Sequence, residues 1–203
     1  MKAESGSLSK RSERTKSDLK RAYISLINEK GYSHVSITDI VKRSDYNRTT
    51  FYLHYLDKPD ITEELRQEMF DGVKNTSMDR YEEDRVIQVE QMGPYSFELM
   101  NYIFMNQEFF NLYIKDDTIP GLNQDMPRAI YEILEERFIL TAVESTTINT
   151  TAHKRYMAHG TAGLILEWIR SGYYPSPNDM TIQLIEILKS FAKEFRIVRS
   201  EYK

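Results

Sequence analysis

The chain has 203 residues, a mass of 24.0 kDa, a formal net charge of -4 and no cysteine. Its length accommodates one large or two modest domains, and the change in composition along it favours two. Without cysteine there is no disulfide framework, thiolate nucleophile or thiol redox sensor, which fits a reducing cytoplasm, and no run of about 20 apolar residues reads as a membrane span.

The negative total conceals an asymmetry. Residues 1–60 carry 12 Lys and Arg against 8 Asp and Glu, a local +4, while the remainder is at -8. Positive charge therefore gathers at one end, where contacts to phosphate would need it. The first eleven residues are basic and polar and lack the apolar centre of a secretory signal, so they read as a flexible arm. Lys10, Arg11, Arg14 and Lys16 either extend a phosphate footprint or serve as a solubilising tail. A helix is expected from about residue 12 to residue 30, with Leu19, Tyr23, Leu26 and Ile27 as its buried stripe and Gly31 as its stop.

The stretch SITDIVKRSDYNRTTFYLHYLDKPD, residues 36–60, contains two short helical patterns separated by a tight turn. Ser36 can cap the first, and Ile37, Ile40 and Val41 give it one apolar face. Asp45 suits the turn because its short side chain bonds nearby backbone and tolerates a left-handed conformation. Asn47 restarts a helix as its cap. That helix sets Phe51 and Tyr55 on an inward stripe and leaves Arg48, Thr49, Thr50, Tyr52 and His54 on or near its outer faces. Such a division suits a recognition helix, whose polar N-terminal residues enter the major groove. Arg48, Thr49 and Thr50 are the candidates for base or phosphate contact, with a solvated helix start as the plain alternative. Ser36 and Thr38 are candidates for the DNA backbone, although Ser36 also serves as a cap.

The combination of Ser36-Ile37, Asp39-Ile40, a turn, a cap at Asn47, Thr50-Phe51-Tyr52, His54-Tyr55 and Lys58 resembles the DNA-binding domain of TetR/AcrR-type bacterial transcriptional regulators over about residues 14–62. Departures at Ser44, Asp45, Asn47, Arg48, Thr49 and Tyr55 bear on which sequence is read rather than on whether DNA is bound. The resemblance implies phosphate contacts from Tyr52, His54 and Lys58, a palindromic double-stranded operator, and regulation, more often repression, by a small-molecule effector.

Lys58-Pro59 opens a fourth helix, with Ile61, Leu65, Met69 and Val73 inward. Residues 75–93 are charged and weakly periodic and read as a loop. Helical patterns return over 95–106, 107–115, 121–142, 151–171 and 178–197. Met100, Phe104, Met105, Phe109 and Tyr113 form a methionine-rich and aromatic concentration that suits an apolar effector, or ordinary core packing. Tyr131, Glu167 and Trp168 join them as pocket candidates; Glu167 either anchors a cation or faces solvent.

Near the C-terminus, Gly160, Thr161, Ala162 and Gly163 offer close approach, and the final helix carries an apolar surface wider than one packing stripe needs. In the family these two helices form a four-helix interface with a second copy, which implies a homodimer. The segment GLILEWIRSGYYPSPND further resembles the C-terminal domains of regulators of dihydroxyacetone kinase control. Four histidines without paired metal spacing, and no phosphate-binding loop, dinucleotide turn or nucleophile elbow, support neither a metal site nor a cofactor. The reading is an all-α chain: an arm at 1–11, a three-helix helix-turn-helix DNA-binding domain at 12–57, and a helical dimerisation and effector domain at 58–203. The alternatives are a DNA-binding co-regulator controlled by a protein partner, and a helical enzyme.

Overall fold

The computed structural model describes residues 2–77, 81–82, 84–143 and 150–198, with side chains from Lys10 onward. They fold into two compact units: the chain up to Glu68 together with Glu108–Leu122, and Met69–Gln107 together with the chain from Asn123.

In the first unit α1 spans Lys2–Lys30, starting earlier than expected and taking in what reads as an arm. No proline and a single glycine interrupt residues 2–11, so a helix nucleated by the packed turns further on propagates back at little cost. Leu19, Tyr23, Leu26 and Ile27 are buried, as the periodicity predicts. Gly31 ends the helix at φ 84°, in the left-handed region, and a Cβ there would overlap the Asp117 carboxylate.

Three further helices pack on that stripe: α2 at Ile37–Arg43, α3 at Arg48–Tyr52 and α4 at Lys58–Thr76, the last crossing from one unit to the other. Ile40, Val41, Phe51, Tyr55, Ile61 and Leu65 close the core. Full burial of a side chain of this size stabilises by about 1.5–3 kcal/mol. Polar locks fix the angles between helices. The Tyr23 and Thr62 hydroxyls lie 2.7 Å apart inside the core, and burial pushes the Tyr23 phenol above its usual range. Lys16 pairs with Glu64 at 2.6 Å, Tyr55 donates to the same carboxylate at 3.1 Å, and Lys20 bridges Glu64 and Glu68.

The returning segment adds α6 at Gln107–Phe110 and a 3-10 turn at Asn111–Ile114, where a longer helix over 107–115 is expected. Phe110 stacks on Tyr113 with centroids 5.8 Å apart. Asn28 Nδ2 donates to the Glu108 carbonyl at 2.7 Å, and the Tyr32 amide to the Asp117 carbonyl at 3.1 Å.

The second unit is helical with one small sheet. Its helices are α5 at Leu99–Met105, α7 at Leu122–Glu136, α8 at Thr151–Arg170 and α9 at Pro177–Lys189. Thr150 caps α8 by accepting from the His153 amide at 3.2 Å, and Ser176 caps α9. Three antiparallel strands, β1 at Val86–Gln88, β2 at Phe138–Ala142 and β3 at Ala192–Ile197, lie in the order β1-β3-β2. This corrects the sequence reading, which has a loop at β1 and the ends of two long helices at β2 and β3. Residues 78–80 and 83 of that loop lie outside the described residues. The reason is side-chain alternation. Phe138 and Leu140 on β2, and Phe195 and Ile197 on β3, point into the core at a period of two, and a register shift at Thr141/Ala142 leaves Ala192 buried as well, so pairing as strands buries more apolar surface than a continued helix. Phe195 faces Ile87 on one side and Leu140 on the other.

Candidate functional site

The first unit builds its site from two caps and a turn. Ser36 Oγ accepts from the Asp39 amide at 3.3 Å while the Ser36 amide donates to Asp39 Oδ2 at 2.9 Å, a reciprocal capping box that fixes where α2 begins. Hydrogen bonds from Lys30 and Ser36 hold the Asp39 carboxyl well below its usual range. Arg43 leaves the far end of α2 in two 2.6 Å bonds to the Glu29 carboxylate, fastening it to α1.

Asp45 makes the turn with φ 59°, the left-handed conformation expected of it. Tyr46 anchors the turn by donating to Asp18 at 3.2 Å. Asn47 Oδ1 accepts from the Thr50 amide at 2.8 Å and from its hydroxyl at 3.1 Å, so the cap of α3 also orients Thr50. Phe51 and Tyr55 are buried beneath. Outward, Arg48 and Thr49 are exposed, and the Arg48 guanidinium donates to Thr38 Oγ1 at 2.6 Å. Tyr52 is 55% exposed and meets Phe51 edge to face; His54 is half-buried.

Two predicted cations have partners within the unit. Lys58 Nζ donates to the carbonyls of Tyr32 at 2.8 Å and Val35 at 3.0 Å and lies 4.0 Å from the Tyr32 ring centroid. Burial lowers its pKa, against the opposing pull of Asp117. Lys16 is tied to Glu64, whereas Lys10, Arg11 and Arg14 are exposed on α1. Leu53 and Leu56, 76% and 82% exposed beside α3, escaped the sequence reading, because only the folded turn separates them from the buried stripe.

The second unit contains a cavity of about 460 Å³ between α5, α7, α8, α9 and the sheet. Of the eight pocket candidates Met100 lines it, and the rest are placed elsewhere. Phe104 packs edge to face on Tyr173, and Met105 is 80% exposed. Phe109 and Tyr113 belong to the first unit. Tyr131 lies under the Arg155 guanidinium, and Glu167 pairs with Arg170 on the surface. Trp168 is buried and donates from Nε1 to the Pro175 carbonyl at 2.7 Å; its neighbour Tyr173 is pushed up to about 12 by burial.

The cavity wall comes instead from residues such as Phe138, Met157, Leu184, Leu188 and Phe195. Their signal was the excess apolar width of the final helix and the alternation of the strands. Among the described residues no cluster of His, Cys, Asp and Glu suits a metal ion, and no helix is long and apolar enough to cross a membrane.

Comparison with known proteins gives two family matches: bacterial regulatory proteins of the tetR family over residues 21–65, and a transcriptional regulator C-terminal region over residues 90–190. An uncharacterized HTH-type transcriptional regulator of Bacillus subtilis, YxbF, is 18% identical over 178 residues, 87% of this chain and 45% of its own length. The chain thus spans about half of that relative. Among solved structures, the dihydroxyacetone kinase operon activator DhaS matches with a TM-score of 0.60 at 18% identity, covering 88% of this chain and 98% of its own. A transcriptional regulator from Aquifex aeolicus matches with a TM-score of 0.57 at 16% identity, over 87% and 98%. At such identities the structural likeness is one of fold.

Proposed function

The chain belongs to the tetR family of bacterial regulatory proteins, a family of DNA-binding transcription regulators and not of enzymes, and from that premise we propose that it is a cytoplasmic, homodimeric, operator-specific repressor released by a small-molecule effector. One observation carries the DNA-binding part. The doubly capped α2-turn-α3 segment holds a short helix that buries Phe51, sets Thr49 on the side opposite it and leaves Arg48 exposed at its first position. An Arg at the start of such a helix reads guanine through two parallel hydrogen bonds, and a Thr methyl touches thymine. Tyr52 and His54 reach phosphates, which set register without carrying sequence. Lys58, engaged with two carbonyls, positions the start of α4.

Two copies are needed because five residues of recognition helix cover too little sequence alone. The exposed faces of α8 and α9 supply the contact: Gly160 and Gly163 leave open space for a close neighbour, and Leu164, Ile182 and Ile187 are 39%, 40% and 46% exposed. A two-fold dimer then sets its recognition helices on half-sites about 34–36 Å apart.

The second unit's cavity favours a small molecule over a protein partner as the controlling input. An effector that binds one conformation better shifts the population toward it, and a swing from 99:1 to 1:99 takes about a 10⁴-fold difference in affinity. Repression needs only that the dimer cover its operator. Activation is the second reading, favoured by the likeness to DhaS, an operon activator.

Selection of bound genomic fragments at moderate salt tests the proposal. An enriched palindrome, lost when Arg48→Ala and Thr50→Ala are introduced together, is the expected result. Enrichment of no site, or of the same site by the double variant, would refute sequence reading by α3. A reporter behind the selected site separates the two directions of control.

A further inference from the structure

The cavity of the second unit is unusual in what its wall lacks. Among the described residues, apart from the hydroxyls of Ser77, Tyr156, Thr161 and Thr181 the wall is apolar, and no Lys, Arg, His, Asp or Glu lines it. Two of those hydroxyls already have their protons placed. Ser77 donates to the Val73 carbonyl at 2.8 Å, and Thr181 to the Pro177 carbonyl at 2.9 Å. Toward a ligand each can therefore only accept. A carboxylate, phosphate or sulfonate entering this space would surrender its water for a wall without a cation, and the loss of hydration exceeds what apolar contact returns. A volume of about 460 Å³ lies in the range that takes drug-sized ligands.

The position of the opening adds a second constraint. Among the residues on the wall, Tyr156, Gly160, Leu164 and Ile187 are also exposed to solvent, and all four come from α8 and α9. The mouth thus lies on the face that the dimer uses.

We propose that the cavity binds an uncharged, lipophilic small molecule with no strong hydrogen-bond acceptor aimed at Ser77 or Thr181, and that a second copy of the chain closes its mouth, so that ligand binding and self-association are linked. The second clause rests on the dimeric reading above. Linkage is reciprocal: if closure by the partner strengthens ligand binding, ligand strengthens the dimer by the same factor.

Two dyes of one skeleton test the ligand class on the full-length protein: neutral phenylnaphthylamine and anilinonaphthalene sulfonate, which differ by a single sulfonate. The neutral dye is expected to saturate at one per chain and to bind at least about tenfold more tightly than the sulfonate. Thr161→Lys, which sets an ammonium on the wall, should reverse that order. If this variant does not fold, Thr161→Phe fills the space without charge and should displace the neutral dye.

Equal affinity for the two dyes, or indifference of both to the Thr161 variants, overturns the ligand class and leaves the dimer untouched. Sedimentation tests the linkage: saturating neutral dye should lower the dimer dissociation constant about fivefold or more. Ile182→Glu, on the dimer face but off the cavity wall, should give monomers that bind the neutral dye more weakly by a similar factor. Monomers with undiminished dye affinity overturn the linkage alone. A wild-type chain that stays monomeric with and without dye overturns the dimeric reading, and closure of the mouth with it.

Discussion

The guanidinium of Arg48 donates to the hydroxyl of Thr38 across 2.6 Å, joining the first residue of α3 to the exposed first turn of α2. Arg has five N–H donors in a planar fork, so one bond to Thr38 orients the group and leaves the rest of the fork free to read a base edge.

Arg48→Ala should therefore weaken operator binding by roughly 1–3 kcal/mol. Thr38→Ala should leave the fold intact and relax base preference at the position Arg48 reads. Anisotropy titrations against the selected site and single-base variants measure both. Unchanged affinity in Arg48→Ala would make this position a solvated helix start.

Lys58 presents a different case, because its ammonium is held on the Tyr32 and Val35 carbonyls. Lys58→Met should destabilise the protein by about 1.5–3 kcal/mol, the range for a lost charged hydrogen bond, with the salt dependence of DNA binding unchanged. A fall of about one in that salt slope would mean that Lys58 contacts a phosphate instead.

The caps and the turn carry stability of their own. Asn47→Ala removes the acceptor for the Thr50 amide and should cost about 1 kcal/mol. Asp45→Gly relieves a left-handed residue and should be neutral or stabilising, whereas Asp45→Val, branched at Cβ, should cost about 1–2 kcal/mol. Denaturant titration separates these; a stabilised Asp45→Val would contradict the conformation of the turn.

Acid should loosen the first unit. Hydrogen bonds from Lys30 and Ser36 to Asp39, and from the Ser33 hydroxyl and amide to Asp117, hold both carboxyls below their usual range. A depressed carboxylate stabilises above its unfolded value, near about 3.9, and that contribution is lost as pH falls through the lower folded value. The double variant Asp39→Asn with Asp117→Asn should therefore melt below wild type at neutral pH, and the gap should close as pH falls below that unfolded value. A gap independent of pH would show that charge on these groups is immaterial.

Local chemistry was legible in the sequence and distant pairing was not. Ser36 and Asn47 accept from backbone three residues on, and Asp45 has only to adopt a left-handed conformation itself, so their roles follow from residue type and spacing. The Lys16 and Lys58 partners, Glu64 and the Tyr32 and Val35 carbonyls, are remote in the chain, and a lysine does not announce whether it faces phosphate or carbonyl. The sheet was hidden for a related reason. Phe191 and Phe195, four apart, satisfy a helical stripe as well as a strand, and only pairing of β3 with β1 and β2 decides between them. Phe104 and Met105 looked like pocket residues because composition marks a cluster without saying which side of it faces the void.

Footprinting on the selected operator, with the protein-to-DNA ratio determined on the same complex, tests most directly the claim that two α3 helices read one palindrome. Two chains per site and two protected half-sites with centres about 10–10.5 base pairs apart, or a whole multiple of that spacing, are predicted. One chain per site with a single protected patch, or protection unaltered by Arg48→Ala with Thr50→Ala, would contradict it.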